Sequence, residues 1–118
     1  MTASQQLASI PAADIALLGG GRLARLGCAS APSIVDIALA YPEALVDGFD
    51  DDAEHIDAAR VAAAAVRVTG RVAFRQVDPA RVRVEDLPAY AVVVAPPHLR
   101  HVAARLAGDT GVVVLDAA

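Results

Sequence analysis

The sequence predicts a three-layer α/β/α sandwich around a mostly parallel, five-stranded sheet. Three observations indicate this fold class. Short apolar segments alternate with segments of helical spacing, as in a chain of β-α-β units. The most apolar segments are continuous rather than alternating, which is typical of parallel strands buried on both faces. Of the 118 residues, 56% are hydrophobic and only 3% aromatic, so small aliphatic side chains must form the core.

Proline and glycine residues divide the start of the chain. A short helix over residues 5–10 is expected to stop at Pro11, whereas the apolar residues 14–18 fit either a helical turn or a strand. The glycines at 19–21 interrupt the chain, so residues 22–27 can begin afresh as the first strand.

A second unit of helix, strand and helix follows. Pro32 opens a helix whose apolar residues keep helical spacing as far as Tyr41. Residues 44–49 form a short strand, and acidic residues then favour a helix N-terminus at the start of residues 51–68. The alanine-rich body of that helix is strongly helix-forming, and Gly70 ends it.

The second half of the chain repeats this rhythm. Residues 71–77 form the third strand, and residues 85–88 form a turn or a single helical turn. An all-apolar fourth strand at 91–95 precedes an amphipathic helix at 98–106. Residues 112–115 form a final buried strand, so the right-handed crossovers of parallel strands are expected throughout.

Composition excludes several classes of function. The formal net charge is -4, and all ten basic residues are scattered arginines, which disfavours nucleic-acid binding. The single cysteine rules out an internal disulfide and fits a reducing cytoplasm, where we expect the protein to be located. No apolar run reaches the roughly 20 residues that span a bilayer, and no secretion signal is evident. We therefore expect no membrane partner.

The segments GRLARLGC, IALAYPEALVDGFD, HIDAARVAAAA and GRVAFRQVD, followed by APPHLRHVAARL, resemble the class I S-adenosylmethionine-dependent methyltransferases of small molecules. The resemblance extends from about Leu18 to Leu115. It implies a Rossmann-like sheet of strand order 3-2-1-4-5 and S-adenosylmethionine as the cofactor. Residues 1–118 then form one methyltransferase-like domain, in which residues 1–18 are an N-terminal extension.

The resemblance also implies roles for particular residues. Asp50 matches the acid that accepts hydrogen bonds from both ribose hydroxyls, and Asp51 follows it over the adenine. Asp78 matches the acid that meets the adenine amino group, while Ala95 ends the strand that faces methionine or substrate. The implied cofactor-binding residues are Gly27, Cys28, Ala29, Asp50, Asp51, Asp78 and Ala95.

The first loop departs from the family pattern. Arg25 stands where the family carries an acid, and Ala29 and Ala31 stand where it carries glycines. An alanine held at positive φ costs about 1–2 kcal/mol, and a methyl group directed at the ligand would add to this. These departures predict weakened or lost cofactor binding. The alternative is a non-catalytic pseudo-methyltransferase, whose loop is a rigid strand-to-helix turn and whose fold serves dimerisation or partner binding.

Some of these residues also have purely structural interpretations. Asp50, with the two acids after it, could cap a helix, and Asp78 before a proline is often a turn residue. Cys28 is expected to pack as a small apolar side chain rather than act as a nucleophile. The triple glycine at 19–21 is weak evidence for a dinucleotide site, because the following acid is not at the required distance.

The histidines suggest no metal site. His98 and His101 have i, i+3 spacing, but no third ligand is placed by the sequence, and solvated positions explain them and His55 more simply. No catalytic residue is assigned, although His98 or His101 is a candidate base if the reaction needs one.

The apolar fifth strand predicts a protein partner. A full methyltransferase sheet has two further strands beside it, and here only three residues follow Leu115. An uncharged apolar edge is a pairing template that proteins seldom leave bare. We therefore expect a second copy of the chain, or another protein, to cover the edge of residues 112–115.

Overall fold

The computed structural model describes residues 2–27 and 31–116, apart from the side chains of Ala31 and Pro32. The helices are α1 (Ala3–Ala8), α2 (Pro11–Leu18), α3 (Ala31–Ala40), α4 (Ala53–Ala65) and α5 (Arg100–Ala107). The strands are β1 (Arg22–Leu26), β2 (Leu45–Asp50), β3 (Val72–Gln76), β4 (Val92–Ala95) and β5 (Val112–Leu115). Two short 3-10 turns, Pro79–Arg81 and Val84–Asp86, lie between β3 and β4.

The five strands form one sheet in the order β3-β2-β1-β4-β5, and every pairing is parallel. The predicted fold class and strand order are therefore confirmed. The chain moves outward from β1 to β3 and then returns to the other side of β1, so β1 and β4 flank a topological switch point. Open α/β sheets bind their ligands beyond the carboxyl ends of the strands at such a point.

Apolar side chains cover both faces of the sheet. Alternation along each strand sends one set toward α1, α2, α3 and α4, and the other toward α5 and the turns after β3. Fully burying one such aliphatic side chain contributes about 1.5–3 kcal/mol. Sheet residues of the first set include Leu23, Val46, Val92 and Val94, and those of the second include Ala24, Leu26, Phe49 and Val93.

The structure settles one segment that the sequence left open and shortens the helix expected over residues 51–68 at both ends, since α4 ends at Ala65, ahead of Gly70. Residues 14–18, which fitted either a helix or a strand, belong to α2, which starts with Pro11 at its first turn. The helix expected from residue 51 begins at Ala53, because the Asp52 carboxylate accepts hydrogen bonds from the backbone N–H groups of Glu54 (2.8 Å) and His55 (3.4 Å). No helix of the described residues is both long and apolar enough to cross a bilayer.

A buried polar cluster joins the sheet to the segment before β4. The Tyr90 hydroxyl donates a hydrogen bond to Asp47 Oδ2 at 2.7 Å, and Arg22 Nη1 donates to the same oxygen at 3.1 Å. Burial, and then the hydrogen bond to Asp47, raise the pKa of Tyr90. Similarly, burial and the hydrogen bond to Asp14 raise the pKa of Tyr41 to about 12. Both tyrosines thus act as neutral donors to carboxylates.

Candidate functional site

A cleft of about 290 Å³ lies beyond the carboxyl ends of β1, β2, β3 and β4. Its walls include Gly27 after β1, Asp50 at the end of β2, Asp78 after β3 and Pro96 after β4. Asp51 also lines it. The switch point of the sheet thus brings together four of the residues that the sequence resemblance selected. We call this space the strand-end cleft.

Gly27 makes the turn out of β1. Its φ is +90°, in the region that L side chains avoid, and its N–H donates a hydrogen bond to the Phe49 carbonyl at 2.6 Å. A Cβ atom added here would meet no atom of the described residues within 4 Å, so the backbone conformation is what calls for glycine at this turn. Another residue would cost about 1–2 kcal/mol at this turn.

Asp50 presents a buried carboxylate to the strand-end cleft, with its side chain only 8% exposed. Oδ1 accepts a hydrogen bond from the Asp52 N–H at 2.8 Å, and Oδ2 lies 3.1 Å from His55 Nδ1. These contacts stabilise a charge that would otherwise be costly to bury. Asp52, and not Asp50, caps α4. The capping interpretation of Asp50 is therefore wrong, because α4 begins at Ala53, two residues later than a helix capped by Asp50 would begin.

His55 is a cleft residue whose role the sequence analysis missed. The first turn of α4 brings its half-exposed ring between two acids. Nε2 lies 3.6 Å from Asp52 Oδ2, and Nδ1 lies 3.1 Å from Asp50 Oδ2. The sequence did contain a signal for this role, since His55 lies in the first turn of a helix that follows an acid at the end of a strand. Side chains of helical residues point back toward the helix N-terminus, and here toward that acid. The ring holds the Asp50 carboxylate in one orientation.

Asp78 is a turn residue that also lies on the wall of the cleft. Its Oδ1 accepts a hydrogen bond from the Ala80 N–H at 2.9 Å, which fixes the turn after β3, and the residue also lines the strand-end cleft. Ala95 is instead fully buried in the core that packs against α5, and Pro96 lines the cleft in that region. Cys28 and Ala29 lie outside the described residues, as does the side chain of Ala31.

The two histidines after β4 are separated by the fold. His98 lines the strand-end cleft, whereas His101 is exposed on α5 and is not part of the cleft wall. The described residues contain no group of three or more histidine, cysteine or acidic side chains able to hold a metal ion. Because His98 lines the cleft and His101 does not, only His98 of the two candidate bases is placed to meet a bound molecule.

Arg25 forms an ion pair that explains its departure from the acidic pattern. Its Nη1 and Nη2 donate to the two carboxylate oxygens of Asp116 at 2.6 and 2.8 Å, and Nε donates to the Gly27 carbonyl at 3.0 Å. The Arg25 side chain is only 12% exposed. This bidentate pair ties the end of β5 to β1, and the bond to the carbonyl restrains Gly27, the first residue after β1.

Solved structures of class I methyltransferases share this fold. A putative methyltransferase from Thermoplasma acidophilum superimposes with a TM-score of 0.69 at 16% identity, over 80% of this chain and 42% of that one. YjhP from E. coli gives a TM-score of 0.63 at 20% identity, over 78% and 38% of the two chains. Coclaurine N-methyltransferase bound to N-methylheliamine and S-adenosylhomocysteine gives 0.58 at 15% identity, over 70% and 27%.

These comparisons confirm the predicted resemblance at the level of the fold. The chain spans about a quarter to two fifths of the length of the three structures. No protein-family model matches the sequence, and no curated protein sequence matches it.

Proposed function

We propose that this chain is an S-adenosylmethionine-binding, methyltransferase-like domain whose affinity for the cofactor is weakened. The observation that carries this proposal is the buried Asp50 carboxylate at the carboxyl end of β2, in one cleft with the positive-φ turn at Gly27. A carboxylate at this place can accept hydrogen bonds from a ribose diol, and the turn lets the backbone approach the ligand. One solved structure of the same fold holds S-adenosylhomocysteine.

The contacts of Asp50 support the weakening. Its carboxylate oxygens already face the Asp52 N–H and the His55 ring, so ribose hydroxyls must share or displace existing contacts. A ribose hydroxyl that replaces an existing hydrogen bond contributes less free energy of binding than one that forms a new bond. The reason is that the displaced bond, worth about 1.5–3 kcal/mol net when it involves a charged group, is lost. Ala29 and Ala31 add to the weakening if their methyl groups face the ligand.

The chemistry required of the protein is modest. S-adenosylmethionine supplies an electrophilic methyl group when bound, and the protein has to hold the acceptor in line with it. Asp50 would hold the ribose, Asp78 would meet the adenine amino group, and Asp51 would lie over the adenine. His98, at the cleft wall, would take a proton from an acceptor that needs deprotonation.

Titration with S-adenosylhomocysteine tests the cofactor proposal. At millimolar ligand we expect calorimetric heat and a raised Tm, because a ligand that binds only the folded state stabilises it. Asp50→Asn should bind at least about tenfold more weakly, since it removes the charge from the ribose acceptor. Ala29→Gly combined with Ala31→Gly should bind more tightly than the natural chain.

Asp57→Asn is the matched control for this titration, because Asp57 lies exposed on α4 and outside the strand-end cleft. Its affinity should equal that of the natural chain. No heat and no change of Tm, in both the natural chain and the double glycine variant, would eliminate the cofactor proposal.

A scaffold role is the second candidate function, and the edge of β5 favours it. Val113 on this strand is 36% exposed, and no described strand pairs with the outer edge of β5. We infer that a second copy of the chain pairs with this edge, since unpaired N–H and C=O groups along an apolar strand favour such association.

Sedimentation equilibrium tests this pairing. We expect a dimer, and Val113→Lys should shift it toward monomer because a charged side chain blocks edge pairing. Val61→Lys is the control, since Val61 is 70% exposed on α4, far along the chain from the edge strand. A natural chain that stays monomeric at all concentrations would remove the self-association proposal.

A further inference from the structure

A second cleft, which we call the arginine cleft, lies between β3 and the turns that follow it. It encloses about 250 Å³ and shares no lining residue with the strand-end cleft. The short 3-10 turns cover this part of the sheet only thinly, which leaves the space open. Its apolar residues are Phe49, Val77, Val82 and Leu87, and its charged residues are Arg75, Arg81, Arg83 and Asp86.

The floor of the arginine cleft is apolar and rigid. The Phe49 ring is fully buried and meets the Tyr90 ring edge to face, with centroids 6.4 Å apart and an interplanar angle of 85°. Such pairs hold an aromatic ring in a single orientation. Val82 packs in the same apolar cluster, and the half-buried Val77 and Leu87 lie against it and present accessible apolar surface to the cleft.

Three arginines and one acid line the rim, and two of the arginines face acidic side chains. Arg83 is occupied, since its Nε lies 3.1 Å from Glu85 Oε1 and 3.5 Å from Asp86 Oδ2. Arg81 has only a loose contact, with Nε 3.6 Å from Asp78 Oδ2.

The Arg75 side chain is exposed and makes no hydrogen bond or ion pair with any residue in the described part of the chain. Its guanidinium group can therefore donate to a ligand without first breaking an ion pair. Because Arg75 and Phe49 are register partners on neighbouring strands, their side chains lie on the same face of the sheet. The unpaired donor thus stands beside the apolar floor.

We propose that the arginine cleft is a binding site for a small apolar carboxylate, such as an aromatic acid. A cavity of about 150 Å³ can hold a benzene ring, so this cleft has room for one ring with a carboxylate attached. The ring packs on the accessible surfaces of Val77, Val82 and Leu87, above the buried Phe49, and the carboxylate accepts two parallel hydrogen bonds from Arg75. Arg81, near the same rim, adds electrostatic attraction. This site is independent of cofactor binding in the strand-end cleft.

Benzoate and its neutral isostere benzamide are the probes for this site. In a two-dimensional amide NMR titration of the full chain, millimolar benzoate should shift the amide signals of residues 77–87. Benzamide should bind about tenfold more weakly, because it lacks the charge that strengthens the hydrogen bonds to arginine. This comparison needs no variant and so does not depend on how well a variant folds.

Arg75→Gln should weaken benzoate binding about tenfold and leave benzamide binding unchanged. Arg60→Gln is the matched control, because Arg60 is exposed on α4 and does not line the arginine cleft. The proposal is overturned by equal affinities for the two probes, by shifts located elsewhere, or by unchanged benzoate binding in Arg75→Gln. An absence of any shift at millimolar benzoate would overturn it as well.

Discussion

Asp47→Ala is expected to lower the free energy of unfolding by about 3 kcal/mol, among the largest losses for a single change in this chain. The substitution leaves the buried Tyr90 hydroxyl without its acceptor and Arg22 without its ion-pair partner. An unsatisfied buried polar group costs about 1–3 kcal/mol. Arg22 is 34% exposed and can regain water, so its share of the loss is the smaller one.

Chemical denaturation measures this loss, and Asp57→Ala on the exposed face of α4 should change stability by less than about 0.5 kcal/mol. Asp47→Asn provides a second readout. The pKa of Tyr90 is raised by burial and then by Asp47, so this variant should ionise Tyr90 at lower pH, as followed by tyrosinate absorbance.

The pH dependence of stability has a definite sign. Because the folded pKa of Tyr90 is raised, its contribution is complete below about pH 10, the ordinary tyrosine pKa, and is lost as pH rises toward the folded value. The unfolding free energy of the natural chain should therefore fall above about pH 10. A natural chain with flat alkaline stability, or an Asp47→Ala variant as stable as the control, would contradict the role assigned to this cluster.

Arg25→Asp, which restores the acid of the family pattern, is expected to destabilise the fold by about 3 kcal/mol. The change removes three hydrogen bonds of a side chain that is only 12% exposed and places a carboxylate toward Asp116. Two like charges at this distance repel each other, and neither has another described cation within ion-pair distance. We therefore expect an acid at position 25 to be incompatible with Asp116 in this sheet.

Combining Arg25→Asp with Asp116→Arg should recover part of the lost stability, because the double exchange restores opposite charges across β4. Chemical denaturation of the natural chain, both single variants and the double variant gives the coupling energy, expected at about 1–3 kcal/mol. Arg60→Asp, on the exposed face of α4, is the single-charge control and should be nearly neutral. If the double variant loses as much unfolding free energy as the two single variants together, the ion pair does not tie β5 to β1.

The order of elements could be predicted because its signals are local. Residues 112–115 were predicted as a strand and form β5, and residues 71–77 contain β3. Continuous apolar segments, glycine interruptions and prolines act over a few residues, so one sequence displays them directly. The ambiguity at residues 14–18 arose because a short apolar run fits helix and strand equally, and packing against the sheet decides it.

The pairing of charged residues could not be predicted in the same way. Arg25 and Asp116 are 91 residues apart, and Asp47 and Tyr90 are 43 apart. Each contact depends on the order of the strands and on the face from which a side chain projects. In the sequence, Arg25 therefore stood out only as a charge opposite to the acid of the family pattern. In the folded chain it forms an ion pair with Asp116.

The sequence by itself determined the fold class, the strand order through its resemblance to a family, and four of the residues that line the strand-end cleft. Only the tertiary structure decided the partners of two charged residues: Asp50 contacts His55 and the Asp52 N–H, and Arg25 pairs with Asp116. It also placed Arg75 beside Phe49 in a cleft that no motif marks. The physical reason is that apolar periodicity depends on residues close together in sequence, whereas the partner of a charged side chain depends on distances between residues far apart in sequence.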